Sequence, residues 1–133
     1  MIYAMFGMVA LTFLVGVVAV VVRFKSVIGG KVNIKYYRTM SGQEVPEMLT
    51  KTTRCFNNMF EVPVLFYVVS TLFVSLALES TLSTVLAWAF VVFRALLAVV
   101  HLTYNNVMHR MLVFWGAVVT VLTLWVLLLM ANG

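Results

Sequence analysis

Acidic residues are scarce in this chain: Glu44, Glu47, Glu61 and Glu79 stand against nine Lys and Arg. Charged residues make up 10% of 133 positions and apolar ones 64%, whereas soluble globular domains carry roughly 25% charge. With a mean hydropathy of +1.10, such a chain cannot clothe itself in a soluble surface, so it reads as an integral membrane protein. The single cysteine, Cys55, excludes an intrachain disulfide and offers no metal-ligand spacing. It reads as a small packing residue. Neither internal repeat nor low-complexity tract interrupts the sequence, which implies one domain over residues 1–133. A removable signal peptide is not expected: no basic stretch precedes the first apolar run, the run is too long, and no small-residue cleavage site follows.

The apolar sequence falls into four runs. Ile2 to Val22 has no charge over 21 residues, matching the roughly 20 needed to cross a hydrocarbon core. The runs predict an all-α membrane protein, a bundle of four transmembrane helices over about 2–24, 46–78, 82–102 and 107–131. Seven of the nine basic residues lie between Arg23 and Arg54. In a membrane protein this is a signal of topology and not a nucleic-acid footprint. It predicts a cytoplasmic first loop, with the Thr103 to Asn106 turn on the same side and both termini and Glu79 outside.

Pro46 and the acids Glu44 and Glu47 suit the start of the second helix. At 33 residues and 1.5 Å each, that helix would measure about 50 Å and project into the cytoplasm. Pro63 should bend it by removing one backbone hydrogen bond and freeing the Met59 carbonyl. Arg54, Asn58 and Glu61 recur at i, i+4 and i+7 just before, a polar stripe led to the membrane edge. Such residues serve either as a functional site or as an interhelical clamp. On the third helix the lone charge, Arg94, needs an anionic partner, and Glu61 is the only acid at a compatible depth. His101 and His109 lie eight residues apart across a turn with no spare ligand nearby, so no metal site is expected. Trp88 and Trp115 read as interfacial anchors.

The pattern Arg54-x3-Asn58-x2-Glu61-x-Pro63, on the second of four short membrane helices, resembles the signature of the MAPEG family, the membrane-associated proteins of eicosanoid and glutathione metabolism. Arg94 and Arg110, sixteen residues apart, resemble the two arginines flanking the glutathione site in the prostaglandin synthase branch. The segment His101 to Arg110 looks more like bacterial members, which implies a bacterial inner membrane as the location. The resemblance implies a homotrimer with glutathione bound between protomers at the cytoplasmic end. It assigns Arg54, Asn58 and Glu61 to the charged ends of the tripeptide, with Arg94 assisting and Arg110 stabilising the thiolate. His101 and Tyr104 join the ligand-facing set. His101 stands where enzymatic members carry a tyrosine, and Phe114 stands where the prostaglandin branch carries another. The resemblance thus implies a glutathione-binding protein, a glutathione S-transferase or peroxidase if active, drawing a lipophilic substrate from the bilayer. The alternative is a non-catalytic subunit or assembly factor among other membrane subunits. A small multidrug transporter is disfavoured because the first helix has no carboxylate.

Overall fold

The computed structural model describes residues 1–133. The chain is all α: α1 (Ile2–Ile28), α2 (Glu47–Asn58), α3 (Val62–Ser75), α4 (Thr81–Leu102) and α5 (Val107–Asn132), with a short 3-10 helix at Ile34–Arg38 in the first loop. α2 and α3 together make one span, so four segments are long and apolar enough to cross a membrane. Their outer faces carry exposed Phe, Val and Leu side chains. That is the surface a hydrocarbon solvent requires. α4 packs most extensively on α5, while α1 lies against α2, α3 and α4.

The second span is two helices, not the single bent helix that the sequence predicts. Met59, Phe60 and Glu61 donate their N–H groups to the carbonyls of Phe56, Asn57 and Asn58, three residues back. α2 thereby tightens and stops. Glu61 then takes φ −97° and ψ −102°, and Pro63 falls in the first turn of α3. Inside a continuous helix the Pro63 ring would strike the Met59 carbonyl, whereas in a first turn its missing N–H costs nothing. The break therefore comes before the proline, and it separates Glu61 from the face shared by Arg54 and Asn58.

α3 ends at Ser75, three residues short of the expected end. Ala77 is left-handed at φ 53°, Ala77 N–H donates to the Val74 carbonyl, and Leu78 N–H donates to the Phe73 carbonyl. This bonding closes the helix in a Schellman motif. α4 opens two residues later with a reciprocal cap: Ser83 N–H donates to Ser80 Oγ at 3.1 Å and Ser80 N–H to Ser83 Oγ at 2.8 Å. The turn is tied to the start of α1 by an ion pair of 2.9 Å between the Met1 ammonium and Glu79. At the other end α1 runs to Ile28, carrying Arg23 and Lys25 beyond the apolar run.

In the core, the rings of Phe66 and Phe90 stack with centroids 4.5 Å apart. The close approach of α4 to α5 depends on Gly116, where a Cβ would lie 2.9 Å from Phe93 Cε1. Gly116→Leu should therefore destabilise the bundle by about 1–3 kcal/mol, the usual range for overpacking. Denaturant unfolding in detergent checks this, and an unchanged midpoint would show that Phe93 yields freely.

Candidate functional site

A cavity of about 210 Å³ at the loop end of α2, α4 and α5 has no hydrophobic lining residue; its walls are Glu47, Thr50, Lys51, Arg54, His101, Asn105 and Arg110. Helical spacing puts Glu47, Lys51 and Arg54 on one face of α2. Lys51 Nζ lies 3.3 Å from the Glu47 carboxylate and donates to the Thr103 carbonyl at 3.0 Å. That contact fastens α2 to the α4–α5 turn. Across the cavity, Arg110 Nη1 donates to Asn105 Oδ1 at 2.8 Å. His101 is only 7% exposed, and its Nδ1 is buried with no hydrogen-bond partner.

Lys51 already answers the one carboxylate in this set, and Arg54 takes part in neither ion pair of the chain. The cavity therefore carries an excess of positive charge close to an unpartnered imidazole nitrogen. Guanidinium groups in such a setting select anionic ligands and bind carboxylates in a two-pronged geometry. Arg54 also borders a second cavity of about 460 Å³ under the first loop, where Tyr36, Tyr37, Thr50 and Asn57 contribute walls.

Arg94 is wholly buried, as expected of an intramembrane arginine, but its partner is not Glu61. Nη2 donates to the Asn58 backbone carbonyl at 2.8 Å, and no Arg94–Glu61 ion pair forms. Glu61 is exposed. The reason is the helix break: the Asn58 carbonyl loses its i+4 partner, keeps only a 3.4 Å bond from the Glu61 N–H and meets the guanidinium, and Glu61 falls at the start of α3. Nε and Nη1 of Arg94 and Oδ1 of Asn58 are buried without partners.

Of the residues singled out in the sequence, the structure thus gathers Arg54, His101 and Arg110 around one cavity and joins Arg94 to Asn58. It leaves two outside. Glu61 is exposed and is not a wall of the cavity, and Tyr104 is 60% exposed with its hydroxyl 2.8 Å from His109 Nδ1. Lys51, Thr50 and Asn105 enter the site unanticipated. The spacing of Glu47, Lys51 and Arg54 was the available signal for Lys51.

A buried arginine with two unmatched nitrogens tests clamp against site. Replacing a buried ion by an apolar side chain of similar length is often neutral or stabilising, so Arg94→Met should leave the unfolding midpoint unchanged or raised. Affinity for an anionic ligand should fall about tenfold, the loss of one charged hydrogen bond. A much lower midpoint with unchanged affinity would make Arg94 a clamp only.

The model of the MAPEG family matches residues 1–130 of the 133. The chain belongs to the MAPEG family. It is therefore a multi-pass membrane protein of a family tied to glutathione and eicosanoid metabolism, whose members generally use glutathione as substrate or cofactor. No curated protein and no solved structure matches it. Within this MAPEG chain the polar cavity brings together two of the arginines that the family resemblance singles out, Arg54 and Arg110.

Proposed function

We propose that this MAPEG protein binds glutathione at the loop end of the bundle and presents its thiol to a lipophilic electrophile from the bilayer. The observation that carries the reading is the cavity lined only by polar and charged residues, with Arg54 and Arg110 on its walls and the His101 Nδ1 buried beside them unpartnered. Glutathione brings two carboxylates, one ammonium and a nucleophilic thiol. Its carboxylates suit Arg54 and Lys51, and its ammonium suits Glu47. Arg110 stabilises the thiolate, since a cation beside a thiol raises its ionised fraction. His101 offers a hydrogen bond in place of the family tyrosine.

Asn58, Glu61, Arg94 and Tyr104 are not walls of this cavity; a homotrimer, in which a neighbouring protomer completes the site, would bring them to the ligand. An apolar groove of about 490 Å³ between α1 and α2, walled by Phe13, Val17, Phe56 and Phe60 among others, offers a lipophilic partner an apolar surface on the same helix as Arg54. The chemistry is then a glutathione S-transferase or peroxidase reaction. The basic loops face the cytoplasm of a bacterial inner membrane, and loss of external labelling at a cysteine placed beside Glu79 would reverse that orientation.

Calorimetry on the purified protein tests the binding. Saturable uptake of glutathione is expected, with native mass spectrometry reporting three protomers per particle. Absence of binding at millimolar glutathione would end this reading and favour the non-catalytic subunit.

A further inference from the structure

A further groove lies where α1 leaves the bilayer and shares Val20 and Arg23 with the 490 Å³ groove. It measures about 310 Å³ and is lined by Val20, Phe24, Val27, Ile34 and Tyr37, with Arg23 as its only charged wall. None of these residues borders the Arg54–His101–Arg110 cavity. Phe24 is 65% and Ile34 71% exposed, so the apolar walls are open to a hydrocarbon neighbour. The guanidinium carbon of Arg23 sits 5.8 Å from the Tyr37 ring centroid. Its Nε is buried without a hydrogen-bond partner.

Charge around the groove has one sign. Arg23, Lys25, Lys31, Lys35 and Arg38 precede the first acid, Glu44, and both ion pairs of the chain form elsewhere. The apolar run of α1 ends at Val22, which sets Arg23 at the boundary between hydrocarbon and headgroups. An occupant must therefore be apolar along Val20, Phe24 and Val27 and anionic at Arg23. Free phosphate satisfies only the second demand, and a neutral helix only the first.

We propose that this groove is a binding site for an anionic phospholipid. One acyl chain lies along α1 and the phosphate meets the Arg23 guanidinium. The lysines of the loop select anionic over zwitterionic headgroups. Tyr37 holds the arginine in place from above. The 3-10 helix, with Ile34 toward the chain and Lys35 and Arg38 in the headgroup layer, closes the outer side.

Native mass spectrometry of the intact protein titrated with phosphatidylglycerol or phosphatidylcholine tests the site. Phosphatidylglycerol should bind at least about fivefold more tightly, the effect of one cation at an anionic surface. Arg23→Gln should remove at least about that factor. Val27→Trp, which fills the groove and touches no charge, should also reduce phosphatidylglycerol binding. Equal losses in Arg23→Gln and Lys35→Gln with no effect of Val27→Trp would overturn the site in favour of diffuse surface attraction. Competition by soluble glycerol phosphate as strong as by the lipid would overturn it in favour of a free-phosphate site. No headgroup preference at all would overturn the proposal, since the groove would then take lipid without regard to charge.

Discussion

Arg110→Ala is expected to lower the rate of glutathione conjugation to a model electrophile by about 10²-fold or more, the scale for losing one donor to a developing anion. Glutathione affinity should change little, because the proposed partner of Arg110 is the sulfur and not the charged ends of the tripeptide. Arg110 also holds Asn105, whose backbone is left-handed at φ 51°, so some loss could come through the α4–α5 turn. The pH profile separates the two routes. A cation beside the thiol favours the thiolate and lowers the thiol pKa; removing it lets that pKa rise toward the value of about 8.5 for free cysteine. The rate of Arg110→Ala should then recover as pH rises, whereas a damaged turn would depress the rate at every pH. Arg110→Lys, which keeps the charge, should recover part of the activity at neutral pH. A wild-type rate in Arg110→Ala would remove this residue from the chemistry.

The four spans were legible because hydrophobic runs of some 20 residues admit no other structure in a bilayer, and the turn at Thr103 to Asn106 appears as expected. The meeting of Arg54 with Arg110 was legible too, since both stand at the same end of antiparallel spans. Glu61 was misplaced by a local event. Two or three residues decide whether a proline bends a helix or starts a new one, and the i+7 spacing holds only if the helix continues. Arg94 follows from that. Its partner is a carbonyl that becomes available only where α2 stops, and carbonyls carry no sequence signature. Lys51 was absorbed into the basic loop as a topology charge; its contact with the Thr103 carbonyl depends on how α2 leans on α4 and α5. Tyr104 lies one turn from His101 in sequence, but the chain has already left α4 there, and its hydroxyl goes to His109.

Arg54→Ala should weaken glutathione binding at least roughly thirtyfold, equivalent to about 2 kcal/mol for one partner of a desolvated charged hydrogen bond. The fold should not notice. Arg54 is exposed and enters neither ion pair of the chain, so its removal strands no buried group, and the unfolding midpoint should stay within about 0.5 kcal/mol of wild type. Arg54→Lys should fall between the two proteins, because a point charge keeps the attraction and loses the two-pronged match to a carboxylate. Glu61→Ala gives the contrast. Within one protomer Glu61 lies outside the cavity, and its loss alone would alter affinity by a factor of two or less, on the order of the near-neutral contacts that surround a binding hot spot. Calorimetry on wild type, the two Arg54 variants and Glu61→Ala reads all of these. An effect of Glu61→Ala as large as that of Arg54→Ala would mean that a neighbouring protomer brings its own α2–α3 break to the site, and the ligand would then be held between subunits. Unchanged affinity in Arg54→Ala would instead remove the polar cavity as the place where glutathione binds.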